Sequence, residues 1–176
     1  SYAFNECTSL SEISIPSSVT LIDSYAFFKC SKLKQIELPD SVTFVGNNAF
    51  DECKSLERVK ISSSMTFIPQ SAFWECSSLS IVLIPSSIKN IGSYSFRQCT
   101  SLHQIALPSS VVSIGKNAFD GCSSLIQINL PQSVTSIGEC AFYGCSALKE
   151  VVIPSSVTTI ESYAFYGCSS LKRIQI

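Results

Sequence analysis

The sequence predicts a mostly β solenoid, in which short strands from successive coils stack in parallel. Three observations lead to this prediction. A 23-residue unit recurs along the whole 176-residue chain, its apolar stretch ends with the period-two alternation of a strand, and only 14% of the residues are charged. A coil of this length cannot bury its apolar face alone, so neighbouring copies must cover it.

The cysteines measure the period of the repeat. Eight of the nine follow one another at intervals of 23 residues: Cys7, Cys30, Cys53, Cys76, Cys99, Cys122, Cys145 and Cys168. A Phe stands three residues before each of these cysteines and a Leu three residues after it, and only Cys140 is off the grid. The consensus unit is A-F-x-x-C-x-x-L-x-x-I-x-I-P-x-S-V-x-x-I-G-x-x.

Each part of the unit predicts its own element. The segment L-x-x-I-x-I ends in alternating apolar residues, which predicts a short strand with one buried face. Pro follows in six of the seven full units, and because Pro cannot donate to a ladder it ends the strand and turns the chain. The segment S-V-x-x-I predicts a second short extended stretch, and A-F-x-x-C is long enough for only one helical or 3₁₀ turn.

The position after the second extended stretch is Gly in four units, which at first suggests a left-handed backbone there. Pro69 occupies the same position in the third unit, and Pro holds φ at about −65°. We therefore predict that this position does not require a positive φ.

Composition excludes several classes of function. The chain has 12 basic and 13 acidic side chains and a net charge of −1, so it lacks the basic excess of a nucleic-acid binder. No stretch reaches the roughly 18 apolar residues of a membrane helix, so we predict no direct membrane insertion of this segment. A hydrophobic fraction of 45% argues against a disordered chain.

The repeat consensus resembles the BspA-like subclass of leucine-rich repeats, and the resemblance covers the whole chain. It implies a leucine-rich-repeat solenoid that is right-handed, with a parallel β-sheet on its concave side and short turns or 3₁₀ segments elsewhere. Members are typically surface proteins of host-associated bacteria and protozoan parasites. They are linked to adhesion, coaggregation and binding of host extracellular-matrix or plasma proteins, so the resemblance also implies a cell-surface or secreted location.

We expect a single domain over residues 1–176, made of about seven and a half repeats. The chain begins inside a unit and ends on a predicted strand, and neither end carries the polar capping unit that solenoids usually need. We therefore expect a fragment of a longer protein, or an engineered chain, whose uncapped ends allow self-association.

The cysteine column is predicted to serve packing rather than chemistry. Zinc sites need closely spaced ligands that converge on one point, and parallel Cβ vectors in a regular stack are poorly placed for disulfides. We therefore predict small, buried, inert thiols and no metal or cofactor. Cys140 is expected to be a partly exposed free thiol, a candidate reactive group whose alternative role is to join two chains on oxidation.

No catalytic residue is predicted, and the chain is not expected to be an enzyme. A Ser recurs in all seven full units, but a nucleophile needs an adjacent base, and the single His, His103, is expected to lie exposed at a strand start. No inward column carries a charge in this interpretation. The repeated Ser is instead predicted to hydrogen-bond the backbone at the turn.

The candidate ligand-binding residues lie in the outward columns of the first strand. Ile81, Leu83 and Ala106 form a predicted apolar centre in a charge-poor part of the chain, and Arg58, Lys60, His103 and Gln104 are its polar surround. The alternative is that the sequence varies freely at outward-facing positions, and that some of these residues are apolar without having a binding role.

Two other groups of exposed aromatic residues are weaker candidates. Leu21, Phe44 and Phe67 share one outward column of the second strand, which is expected to be exposed or half-buried. Phe28, Trp74, Tyr143 and Tyr166 follow the core Phe and are expected to cover the convex edge rather than to anchor a partner.

These observations predict a non-enzymatic module that binds a protein or glycan ligand through its concave sheet. The alternative is a purely structural, self-associating array, with ligand binding elsewhere in the parent protein.

Overall fold

A computed structural model describes residues 1–175 and confirms a solenoid of stacked parallel coils. The second to seventh coils each contribute one strand of three residues and one of two, whereas the first coil contributes only a two-residue strand and the last only a three-residue strand. The longer strands are β2 (Gln35–Glu37), β4 (Arg58–Lys60), β6 (Ile81–Leu83), β8 (Gln104–Ala106), β10 (Gln127–Asn129), β12 (Glu150–Val152) and β14 (Arg173–Gln175). Ile176, the end of the last predicted strand, lies outside the described residues.

The shorter strands form the second extended stretch of each coil. They are β1 (Leu21–Ile22), β3 (Phe44–Val45), β5 (Phe67–Ile68), β7 (Asn90–Ile91), β9 (Ser113–Ile114), β11 (Ser136–Ile137) and β13 (Thr159–Ile160). Every pair of strands is parallel and joins residues 23 apart, as in Arg58 opposite Ile81 and Ser113 opposite Ser136. The period of the sequence is therefore the register of the sheets.

The A-F-x-x-C segment forms tight turns, and no helix, α or 3₁₀, occurs in residues 1–175. The prediction of a single helical or 3₁₀ turn in this segment was wrong. The turn is not helical because two residues in each coil have a positive φ. These are the residue two before the core Phe, such as Tyr94 (φ 59°), and the residue before the repeated Cys, such as Gln98 (φ 60°). Gly46, Gly92, Gly115 and Gly138 are not among the positive-φ residues, as predicted.

A column of Phe rings runs through the core. Consecutive rings from Phe4 to Phe165 stack with centroids 5.1 to 5.5 Å apart and planes within 4° to 13° of parallel. The Cys and Leu columns and the inward residues of both strands pack around these rings. Burial of this continuous apolar column is the main stabilising contribution to the stack.

Five of the seven repeated Ser hydroxyls bond the main chain of the preceding coil, as predicted for this column, whereas the buried Ser87 hydroxyl has no partner. Ser41 donates to the Val19 carbonyl at 2.8 Å and Ser110 to the Ile88 carbonyl at 2.6 Å. In the third unit Ser62 stands where the others have Pro, and its own hydroxyl donates to the Val42 carbonyl at 2.6 Å.

Both sheets are interrupted once along the stack. The shorter strands divide into β1–β3 and β5–β7–β9–β11–β13, and the break falls at Pro69. Gly92 occupies the same position as Pro69 in the next coil, and its N–H donates to the Ile68 carbonyl at 2.9 Å. Pro69 has no N–H and cannot donate the corresponding bond. The longer strands divide into β2–β4–β6 and β8–β10–β12–β14.

Candidate binding face

The predicted apolar centre lies where the two parts of the longer-strand sheet meet. Ile81 and Leu83 are 44% and 43% exposed on β6, while Val82 between them points into the core. Ala106, at the equivalent position of the next coil on β8, is also exposed. The period-two alternation of the strand therefore places all three side chains on one face.

A groove of about 350 Å³ opens at this boundary. Ile81, Leu83 and Ala106 contribute to it, as do the amides of Gln104, Gln127 and Asn129. None of the lining residues carries a charge, and Gln127 donates to the Asn129 side-chain oxygen at 3.2 Å. The groove therefore offers apolar surface together with carboxamide donors and acceptors.

A second groove of about 410 Å³ continues past the carboxyl end of β6. It shares Leu83 and Ala106 with the first and adds Pro85, Lys60 and Asp40. Ser63 donates to Asp40 from its N–H at 3.1 Å and from its hydroxyl at 2.7 Å. These hydrogen bonds lower the pKa of Asp40, so a fixed negative charge stands at this end of the face.

The face becomes charged towards the first coils. The Lys60 ammonium lies 3.8 Å from the Glu37 carboxylate, and both line a groove of about 550 Å³ together with Gln35 and Asp40. Exposed pairs of this kind contribute little to stability, but they set a charged boundary beside the apolar centre. Exposed Glu150 on β12 and Arg173 on β14 carry charge at the other end, so the uncharged part of the concave face is its middle, from β6 to β10.

Two of the predicted polar residues lie at the edge of this arrangement. Arg58 is half-buried on β4 and pairs in register with Ile81. His103 is exposed and directly precedes β8, with its Nδ1 2.7 Å from the Ser101 carbonyl oxygen. Neither residue lines the two grooves that meet at Leu83 and Ala106.

Sequence reasoning missed several residues that line these grooves, among them the polar residues Ser80, Gln127, Asn129 and Asp40. Gln127 and Asn129 belong to the same outward columns as Ile81 and Leu83, two coils further on, so extending the candidate set along those columns identifies them. Asp40 follows Pro39 outside the strand, and nothing in the strand pattern indicates it.

The weaker aromatic candidates are separated from this face. Phe44 and Phe67 are exposed, and their rings meet edge-on at 6.3 Å across the break in the other sheet. Trp74 stacks on Tyr94 at 6.0 Å and lies under the Arg97 guanidinium at 5.1 Å. In both sets the aromatic rings pack against side chains of the adjacent coil.

Two carboxylates, Asp51 and Asp120, are buried although they stand in the column that follows the core Phe, where Tyr143 and Tyr166 are exposed. Asp51 accepts from the Asn48 amide at 2.9 Å, and burial raises the pKa of Asp51 to about 6. Asp120 accepts from the Asn117 amide at 2.9 Å and from the Arg97 Nε at 2.8 Å. Each of these Asp residues directly follows a core Phe, so the sequence analysis treated the segment as packing. The Asn three residues before each Asp is the sequence feature that indicates a buried carboxylate, because its amide donates to that carboxylate.

The cysteines are all free thiols. Those from Cys30 to Cys145 in the repeat column are buried, while Cys140 is partly exposed, as predicted. Partial burial, followed by the charges of Glu139 and Asp120, raises the pKa of Cys140. A raised pKa lowers the thiolate fraction, which reduces the reactivity predicted for this thiol.

Residues 1–175 hold no group of three or more His, Cys, Asp or Glu side chains placed to bind a metal. They also include no helix with the length and apolar character that a membrane crossing requires.

Comparison with known proteins identifies relatives. The family model described as the BspA type leucine rich repeat region matches residues 1–125 and 67–176, in six copies. No curated protein matches the chain significantly in sequence.

Solved structures with the same fold come from several bacteria. The leucine rich repeat protein of T. pallidum is 34% identical, with a TM-score of 0.83 over 93% of this chain and 76% of that chain. A leucine rich cell surface protein of Faecalibacterium prausnitzii is also 34% identical, with a TM-score of 0.76 over 89% of this chain. The present chain spans only 42% of the length of that surface protein.

Proposed function

The chain belongs to the BspA-type leucine-rich repeat family, and we propose that it is a non-enzymatic binding module of a cell-surface or secreted protein. In this proposal it recognises a protein or glycan ligand through its concave sheet. The resemblance to a leucine rich cell surface protein supports the location, and the family resemblance suggests host extracellular-matrix or plasma proteins as ligands.

One observation carries the proposal: a contiguous, uncharged, partly apolar groove lies at the centre of the concave sheet, with charged residues on the strands to either side. Ile81, Leu83 and Ala106 are exposed there although equivalent columns elsewhere carry Lys60 or Gln175. An apolar centre with a polar rim is the usual composition of a protein-binding surface. The rigid stack presents it without loss of loop entropy on binding.

A pair of double variants tests the proposal. Ile81→Asp with Leu83→Asp places two charges in the groove, whereas Glu150→Asp with Val152→Asp alters the same outward columns on β12, outside the groove. Binding is measured to a panel of purified extracellular-matrix and plasma proteins and to a glycan array. We expect the first variant to weaken binding at least about tenfold, with little change in melting temperature, and the control to bind like the parent.

Retained binding of the folded Ile81→Asp, Leu83→Asp protein to a ligand of the parent would contradict the proposal. Equal losses in both double variants would mean that the whole sheet, rather than the groove, makes the contact.

The alternative of a structural, self-associating array rests on a different surface. The first coil carries a groove of about 410 Å³ lined by Phe4, Ile13, Val19 and other apolar residues. Concentration-dependent association that Phe4→Asp abolishes, measured by sedimentation velocity, together with no ligand on either panel, would favour this function over binding.

A further inference from the structure

A groove of about 430 Å³ lies on the turn segments that carry the A-F-x-x-C motif, and we call it the turn groove. It shares no lining residue with the grooves of the concave face. Its volume is within the range of about 300–1,000 Å³ that is usual for small-molecule sites. Three adjacent coils contribute the lining residues, which are Lys54, Trp74, Glu75, Ser77, Arg97, Gln98 and Thr100.

Arg97 is held in place at this groove by contacts on two sides. Its Nε donates to the buried Asp120 carboxylate at 2.8 Å, and the Asn117 amide donates to the same carboxylate at 2.9 Å. The guanidinium carbon also lies 5.1 Å from the centre of the Trp74 ring and 5.9 Å from that of Tyr94. Ionic and cation–π contacts therefore fix the orientation of the guanidinium before any ligand binds.

The outer part of this guanidinium is available to a ligand. The bond from Nε to Asp120 is the one hydrogen bond that the Arg97 side chain makes within residues 1–175. The side chain is 33% exposed and lines the groove, so its two terminal amino groups keep four N–H donors. Two parallel N–H groups of a guanidinium match the two oxygens of a carboxylate.

The other lining residues supply acceptors and donors for hydroxyl groups. The Glu75 carboxylate has a loose contact of 3.9 Å with the Lys54 ammonium. The Gln98 amide lies over Gly121, where a Cβ would collide with it. The Thr100 hydroxyl donates to the main chain of the preceding coil at 3.3 Å, so its oxygen remains an acceptor. A carboxylate, a carboxamide and a hydroxyl oxygen suit a ring with adjacent hydroxyls.

The charges of the lining select the ligand. Lys54 and Arg97 are positive and Glu75 is negative, so a ligand with one negative charge is complementary, whereas Glu75 and Asp120 repel a ligand with several. An acidic peptide side chain has a carboxylate but no hydroxyls, and would leave Glu75 without hydrogen bonds in the contact. Trp74 adds an aromatic surface on which a sugar ring can pack.

We propose that the turn groove binds a glycan through one carboxylated sugar. The terminal amino groups of Arg97 bond the sugar carboxylate, the Trp74 ring packs against the sugar ring, and Glu75 and Gln98 bond adjacent hydroxyls. This site is separate from the concave face and does not rest on the function proposed for that face.

The test begins with a glycan array that carries carboxylated, sulfated and neutral sugars. Dissociation constants are then measured by NMR titration for the methyl glycosides of N-acetylneuraminic acid and glucuronic acid, for their methyl esters, and for a hexaglutamate peptide. The esters change the ligand alone, so this comparison needs no variant protein.

Three variants locate the site. Arg97→Gln combined with Asp120→Asn removes both charges together, so that neither is left unpaired, and Glu75→Ala removes an exposed acceptor. Lys29→Gln is the matched control, because Lys29 also lies over an aromatic ring, 4.8 Å from the centre of Phe28, but outside the groove. Circular dichroism melting confirms that each variant is folded.

We expect carboxylated sugars to bind, and esterification to weaken binding to the parent at least about tenfold. The Arg97→Gln, Asp120→Asn protein should lose at least about tenfold, while Lys29→Gln changes binding less than about twofold. Glu75→Ala should weaken binding about threefold or more, because a hydroxyl acceptor is lost. The Ile81→Asp, Leu83→Asp protein should bind these sugars like the parent.

Several results would overturn the turn groove as a sugar site. These are no binding of any carboxylated sugar, equal binding of acid and ester, or preference for sulfated sugars or hexaglutamate. Tighter binding by Glu75→Ala would show simple attraction of anions rather than recognition of hydroxyls. Loss of sugar binding in the Ile81→Asp, Leu83→Asp protein would assign the sugar to the concave face instead.

Discussion

The thiol of Cys99 donates a hydrogen bond to the carbonyl oxygen of Phe73 in the preceding coil, with the sulfur 3.2 Å from the oxygen. The same bond recurs from Cys30 to Cys168, always to the Phe carbonyl 26 residues earlier. The cysteine column therefore satisfies a main-chain acceptor in each coil as well as filling space.

This relationship predicts different costs for cysteine replacements along the stack. Cys99→Ala removes a buried thiol and leaves the Phe73 carbonyl without that donor, so the free energy of unfolding should fall by about 1–3 kcal/mol. Cys7 is exposed, and Cys7→Ala should cost less than about 0.5 kcal/mol. Urea denaturation measures both, and equal costs would contradict a role for the bond.

The Phe column predicts a strong dependence on position. Phe96 is fully buried between the rings of Phe73 and Phe119, so Phe96→Ala should cost about 3–5 kcal/mol. Phe4 is 40% exposed and stacks on Phe27 alone, so Phe4→Ala should cost clearly less. Similar losses in thermal or urea unfolding would argue against coupling between stacked coils.

Ser95 predicts a stabilising substitution. It is fully buried at the position where the other units have Ala, and its hydroxyl has no hydrogen-bond partner. Ser95→Ala should therefore raise the free energy of unfolding by about 1 kcal/mol. The reciprocal change Ala118→Ser, one coil further on, is the control and should lower it. A destabilised Ser95→Ala protein would show that the hydroxyl has a partner in solution.

Asp51 predicts a pH dependence of stability. Burial raises its pKa from 3.8 to about 6 in the folded protein, so folding favours the protonated carboxyl. The stabilising effect of protonation is fully present below pH 3.8 and is lost as the pH rises through about 6. Asp51→Asn, which stays neutral, should therefore be more stable than the parent at pH 7, with this advantage disappearing near pH 4.

Urea titrations at several pH values measure this difference. Asp120→Asn is the control, because Asp120 has the Arg97 guanidinium as a partner, and its loss at pH 7 should destabilise the protein. An Asp51→Asn advantage that did not change between pH 4 and pH 7 would contradict the assignment to the Asp51 carboxyl.

Much of the fold follows from columns of identical residues. Because Phe, Cys and Leu recur at a strict interval, their burial in a parallel stack with a register of 23 is predictable from the sequence. The exposure of Ile81 and Leu83 follows equally from strand alternation. The left-handed positions were not predictable, because Tyr94, Asn117 and Cys140 share one of them without sharing a side-chain type.

The candidate site was predictable only in part. The apolar centre was found, but the groove also requires Gln127, Asn129 and Ser80, and His103 lies beside it rather than in it. The break between β6 and β8 has no evident sequence signal, unlike the break at Pro69, where the missing N–H explains the interruption.

The sequence by itself determined that the chain is a stack of 23-residue coils, which columns face inward, and where outward variation is concentrated. Those properties depend on spacing and on the burial of repeated apolar side chains, which each unit specifies locally. The tertiary structure alone decided where the pairing of the longer strands is interrupted and which residues line the groove beside Ala106. It also decided which hydroxyls and carboxylates are buried. These features arise from the fit between adjacent coils, and that fit is a property of pairs of units.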